Sequence, residues 1–356
     1  MTLRKKGRNS LSKFSVARQY PTLCGSASRN LALSLFGPQE CSFAKLANDV
    51  DDSQRTIQML LAERDELRQH CERLGALLSN VGYPPGHFYS PIVDVGDRHA
   101  MEAVRTRISA PFPAGITIDL EAMKSTMTRL AEHHRHFPFP RHQESGYRFH
   151  FDNPFFGCYD ASILFSMLLE FRPRRVVEVG CGHSSCVLLD TSERFFDGSL
   201  DLTLIDPSLD DLKHLFGDAG AGEARLITRV VQDTGRELFE SLEENDILFI
   251  DSSHVSKTGS DVDYLVFEIL PILKRGVLVH IHDILYPFEY PEEWVLKDKR
   301  SWNEAYLLRA FLQYNSAFEI VYWNNFAWHR LREDLARLMP ICLENEGGSV
   351  WLKRAS

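Results

Sequence analysis

Acidic residues stand where short apolar runs stop, at Glu178, Asp206, Asp233, Asp251 and Asp283. The first belongs to 174-RRVVEVGCGHSS-185, in which a β-branched run passes through Glu178 into a Gly180–Cys181–Gly182 turn. Such a turn at a strand end implies a backbone that must come close to a ligand, since glycine has no Cβ to collide with it. Asp206, closing the next apolar run, lies near the ~20-residue offset at which an acid takes the two hydroxyls of an adenosine ribose. A dinucleotide site would want Gly-x-Gly-x-x-Gly, but the sixth position is Ser185, and Glu178 stands where pyrophosphate charge would gather. An adenosine joined to a positively charged group suits these residues better.

The elements that position these acids follow from the pattern around them. Apolar runs at 175-RVVEV-179, 202-LTLID-206, 226-LITRVV-231, 246-DILFID-251 and 276-GVLVHIHD-283 alternate mostly with helix-like stretches. This predicts an α/β fold with a doubly wound, mostly parallel sheet, in which ligands bind beyond the carboxyl ends of the strands. Asp160 reads as the N-cap of a helix over 161–171, stopped by Pro173. The domain that holds this sheet is expected behind a connecting or lid segment at 83–145. Prolines and aromatic residues crowd 137–160, which either walls a pocket or covers the domain edge.

Two N-terminal stretches differ from the rest. Residues 1–45 are basic and Ser-rich, the composition of a disordered leader or, alternatively, of an organelle-targeting segment. Over 46–82 the residues Val50, Ser53, Ile57, Leu60, Arg64, Leu67, Cys71, Leu74, Leu78 and Val81 recur in steps of three and four. This heptad stripe either pairs two chains as a short coiled coil, giving a homo-oligomer, or packs a helix against its own domain.

Composition narrows the function classes. A net charge of −9 over 356 residues argues against nucleic acid as the main partner. No apolar run approaches the ~20 residues of a membrane span. The seven irregularly spaced cysteines form neither a disulfide framework nor paired zinc ligands, which favours a reducing compartment such as the cytoplasm. Cys181 and Cys186 read as small packing residues, and His280 as a buried core histidine.

The ordered blocks EVGCGHSS, LIDPS, 248-LFIDSSH-254 and 271-PILKRGVLVHIHD-283 resemble the class I S-adenosylmethionine-dependent methyltransferases. They look most like the branch with D-x-x-H and H-D strand ends, which also holds sugar and small-molecule O-methyltransferases. The likeness covers about 146–356 and includes 318-FEIVYW-323 and 349-SVWLKR-354, similar to the antiparallel sixth and seventh strands of that seven-stranded, Rossmann-like fold. It implies S-adenosylmethionine as cofactor, with Glu178, Gly180 and Gly182 cradling its methionine part, Asp206 on the ribose, and Asp233 or Gln232 at the adenine amino group.

The resemblance also makes Asp251 and Asp283 the ends of neighbouring strands. Two carboxylates placed together repel unless something positive lies between them, so Mg²⁺ or Mn²⁺ held by Asp251, Asp283 and His282 is one expectation. His254 would then be the general base for an acceptor hydroxyl on a small molecule or glycan. The alternative is a metal-free site in which both acids only orient His254. The loop 284–300, with Tyr286, Phe288, Tyr290 and Trp294, would wall the acceptor pocket. Two other readings compete: a metallohydrolase built on His280 and His282, and a non-catalytic coiled-coil scaffold.

Overall fold

The structure is a computed structural model and describes residues 40–79, 81–108 and 112–356. The chain divides into two units, 1–82 and 83–356. In the first, helix α1 spans Glu40–Ser79, about 60 Å at 1.5 Å per residue. Its heptad side chains are exposed. Residues 40–45, expected in the leader, are thus helical, and the rest of that leader lies outside the described residues. Helix α1 stops at Ser79, short of Pro84 and Pro85, which cannot continue it.

The second unit holds the sheet. Helices α2 (Arg98–Ile108), α3 (Leu120–His134) and α4 (Cys158–Phe171) precede strand β1 (Arg175–Val179), followed by helix α5 (His183–Phe195) and strand β2 (Asp201–Ile205). Strands β3 (Arg225–Ile227), β4 (Ile247–Ile250) and β5 (Leu278–Ile281) complete the parallel part. Helix α6 (Glu304–Leu312) leads to β6 (Phe318–Trp323) and β7 (Val350–Arg354). The sheet order is β3-β2-β1-β4-β5-β7-β6, with β7 antiparallel to both its neighbours. The expected α/β, mostly parallel seven-stranded sheet is therefore present. β1, β4 and β5 are nearly or wholly buried along their length, as strands covered on both faces must be.

Three local expectations change. β3 ends at Ile227 rather than at Val231, because its partner β2 ends at Ile205 before Pro207 and leaves no ladder to extend. Asp160 is not the N-cap: α4 starts from Gly157, and Asp160 turns inward to accept from Asn324 Nδ2 at 2.8 Å, Gly348 N at 3.1 Å and the Ser349 hydroxyl. The core also begins upstream of residue 146. Asp119 caps α3 by accepting from Ala122 N at 2.9 Å, and the helix buries Met123, Met127 and Leu130 completely. Arg129 and His133 then tie α3 to Glu170 of α4 at 2.6 and 2.9 Å. Among the described residues no helix is long and apolar enough to cross a membrane.

Candidate functional site

The ladder brings the strand-end residues into one row. Val179 pairs with Ile205 on one side and Ile250 on the other, and Ile250 pairs with Ile281. The next residues therefore leave the sheet together, with Asp251 N donating to Val179 O at 2.8 Å and His282 N to Ile250 O at 2.9 Å. Glu178, Asp206, Asp251 and Asp283 all stand at this end.

The two glycines of the turn have different tasks. At Gly180, with φ of +83°, a Cβ would sit 1.7 Å from the Asp251 carbonyl oxygen. Its close approach is thus to the backbone leaving β4, not to a ligand as the sequence suggested. A Cβ at Gly182 would meet nothing within 4 Å. Gly182 lines a cavity of about 320 Å³ together with Cys181, His183, Asp251, Phe155 and Phe156. The 137–160 stretch therefore does both expected things: Phe155 and Phe156 wall this cavity, while Phe139 and Phe149 are buried in the core.

Glu178 lies beneath the turn, fully buried. One oxygen accepts from the Ser185 hydroxyl, and Oε1 has no partner among the described residues. Burial pushes its carboxyl up to about 8, against the pull of Ser185. Asp206 is braced by two amides, Cys181 N at 3.1 Å and Ser208 N at 2.7 Å, and stays partly exposed. Gln232 donates to Gly259 O at 2.8 Å and keeps a buried, unpartnered Oε1, whereas Asp233 opens into a separate groove of about 650 Å³ beside Arg225 and Arg229. An orphan carboxyl oxygen, an orphan amide oxygen and an open glycine face fit a ligand with an adenine amino group and a cationic end.

His254, the candidate base, is buried and at φ +60°. Nδ1 lies 2.8 Å from Glu304 Oε2, while Nε2 faces Asp251 Oδ1 at 3.3 Å and Asp283 Oδ2 at 3.7 Å. The Trp302 ring lies against the imidazole with centroids 4.3 Å apart, and the amides of Asn303 and Glu304 hold the His254 carbonyl at 3.1 and 3.2 Å. Burial alone would lower the ring's pKa, but hydrogen bonds to Asp251 and Glu304 and their charges raise it to about 10. Although partial loss of water pulls it up, the charge of the nearby His282 and the tie to His254 hold Asp251 below its ordinary value. Asp261 and Asp263 brace the same loop, Asp261 accepting from Ser253 N at 2.8 Å and Asp263 from the Ser256 hydroxyl.

This arrangement bears on the metal expectation. The His254 ring stands between Asp251 and Asp283, within reach of both carboxylates. His282 is buried, with Nε2 3.7 Å from Asp283 and its ring against Phe156. Among the described residues no group of three or more His, Cys, Asp or Glu could hold a metal ion. Mg²⁺ or Mn²⁺ on Asp251, Asp283 and His282 does not fit, and neither does a zinc cluster on His280, which is buried flat against Phe249 at 3.8 Å. Burial raises the Cys181 thiol, and raises Cys186 to about 12, as suits packing residues. Tyr286 and Phe288 do not wall a pocket: both are buried against Trp323, at 5.6 and 4.7 Å.

Residues 177–284, the segment carrying this row of strand ends, match a family profile described as a methyltransferase domain. A protein of Archaeoglobus fulgidus described as uncharacterized is 30% identical over 166 residues, covering 46% of this chain and 75% of that protein. Residues 177–284 are thus a methyltransferase domain. The chain is also similar to the O-methyltransferase TomG of Streptomyces achromogenes, involved in tomaymycin synthesis, at 12% identity over 68% of this chain and 92% of that one, with a TM-score of 0.35. For the Podospora anserina methyltransferase PaMTH1 the values are 13%, 73%, 97% and 0.36.

Glu304 and Trp302 were not found by sequence reasoning. They lie about 50 residues beyond His254, and 302-WNEAYLLRAFL-312 reads only as the start of an apolar helix. A buried acid in the first turn of such a helix was the one available signal.

Proposed function

We propose that this methyltransferase acts on a hydroxyl oxygen of a small-molecule or glycan acceptor, with His254 taking the hydroxyl proton. The observation that carries the reading is the orientation of one ring. Glu304 holds Nδ1, so Nε2 faces Asp251, and Asp251 also lines the cavity above Gly182. S-adenosylmethionine supplies an electrophilic methyl group on a sulfonium centre. Asp206 would take its ribose hydroxyls, Gln232 Oε1 its adenine amino group, and the Glu178 turn its methionine end. Asp251, about a third exposed at 31%, would face the positive charge. The D-x-x-H and H-D likeness to sugar and small-molecule enzymes supports the same assignment of His254.

Trp302 links the base to space for an acceptor. With Tyr290, Tyr306, Val295 and Met101 it lines a cavity of about 750 Å³, in the range that takes drug-sized molecules. The protein's part in methyl transfer is then chiefly proximity and orientation, with His254 accepting the proton. Because the ring is held near 10 it is charged at neutral pH, so turnover rises with pH until it becomes neutral. Transfer of labelled methyl from S-adenosylmethionine to a panel of hydroxyl acceptors tests the reading. His254→Ala is expected to lower turnover by roughly 10²- to 10⁴-fold while calorimetric cofactor affinity changes little. Undiminished turnover in that variant refutes the base.

A further inference from the structure

We propose that α1 is one strand of a parallel, in-register, two-stranded coiled coil whose partner is a second copy of this chain. The proposal does not depend on the methyl-transfer chemistry. Val50, Ile57, Leu60, Leu67, Leu74 and Leu78 form a stripe along α1 and are each 46–64% exposed. Helices in water owe most of their stability to packing such a face rather than to propensity.

Side-chain types select the partner and its direction. Val50, Ile57, Arg64, Cys71 and Leu78 occupy one core position of the heptad, and Ser53, Leu60, Leu67 and Leu74 the other. β-Branched residues at the first, here Val50 and Ile57, with Leu at the second, here Leu60, Leu67 and Leu74, favour two parallel strands. A polar residue at one core position specifies register at a cost in stability, and of the two polar core residues, Ser53 and Arg64, the charged Arg64 fills that role, its guanidinium drawn aside to Asp65 at 2.6 Å. The flanks add charge complementarity. Glu63 precedes the core position of Arg64, and Arg68 follows that of Leu67, so a parallel in-register pair brings Glu63 of each chain to Arg68 of the other. An antiparallel pair loses this match.

Cys71 is a built-in reporter, exposed and at a core position. In the parallel arrangement its sulfur meets its own copy. With diamide as oxidant, two Cys71 thiols give up two protons and two electrons to the reagent, which is reduced to its hydrazine, and form one disulfide. The full chain is expected to scatter light as a species of twice 40.8 kDa. Oxidation is expected to give a doubled band on a non-reducing gel that Cys71→Ser removes. Glu63→Arg alone is expected to raise the dimer Kd by roughly tenfold, and adding Arg68→Glu to restore it. A monomeric wild type, a dimer without the Cys71 cross-link, or a double swap that does not restore affinity would each overturn the proposal.

Discussion

Replacing Glu304 by Gln tests the reasoning about His254 most directly, because it keeps shape and volume and removes one charge. Glu304 is 3% exposed, so water cannot replace the lost carboxylate. Its hydrogen bond to Nδ1, 2.8 Å long and charge-assisted, belongs to a class worth about 1.5–3 kcal/mol. At 1.36 kcal/mol per pKa unit, that lowers the ring by about one to two units, from about 10 to roughly 8–9. Asp251 keeps the remainder raised. The assay is the NMR titration of the His254 ring carbon, assigned by loss of its signal in His254→Gln, and it needs no acceptor. An unchanged midpoint in Glu304→Gln, or a wild-type midpoint near 6.5, refutes the account. Stability follows the same linkage. A folded-state pKa above the unfolded value means the ring's contribution is complete below about pH 6.5 and is lost as pH rises through about 10. Glu304→Gln is expected to flatten that fall in thermal melts. Glu304 is a positioning residue, so in the methyl-transfer assay the pH limb should move with the NMR midpoint while cofactor affinity holds.

Two further expectations concern the cofactor side. Gly180→Ala combines a left-handed backbone, costing about 1–2 kcal/mol, with overpacking of about 1–3 kcal/mol against the Asp251 carbonyl, so Tm should fall by roughly 5–20 °C. Gly182→Ala is expected to melt like wild type yet weaken S-adenosylmethionine binding by about tenfold or more, since its Cβ enters open space that the ligand needs. Equal melting temperatures for the two variants would contradict the division of tasks between them. Asp206→Ala, removing the proposed ribose ligand, should raise the calorimetric Kd by roughly 5- to 150-fold, the equivalent of about 1–3 kcal/mol. Unchanged affinity would place the ribose elsewhere.

What the linear chain determined was local. A β-branched run with apolar residues on both faces must be buried, and alternation of such runs with helices leaves few arrangements other than a wound parallel sheet. Glu178, Asp206, Asp251 and Asp283 were legible for the same reason: each is the first polar residue where a buried run ends, or the last within it. Heptad spacing likewise marked α1, because a period is written in consecutive residues.

Tertiary structure decided what meets what. What stands between Asp251 and Asp283 is the His254 ring, and that depends on Glu304 crossing about 50 residues of sequence to hold it. Gly180 is required by the backbone leaving β4, a contact that no short motif encodes. Asp160 looked like a cap because capping is the commonest use of an acid at a helix start. It instead serves Asn324, Gly348 and Ser349, nearly half the chain away. In each case the local signal named a residue type and a strand end, while the partner came from a distant segment. Close packing of β1, β4 and β5 brings that segment to the site, and charge, burial and hydrogen bonding are properties of such encounters rather than of the sequence around either residue.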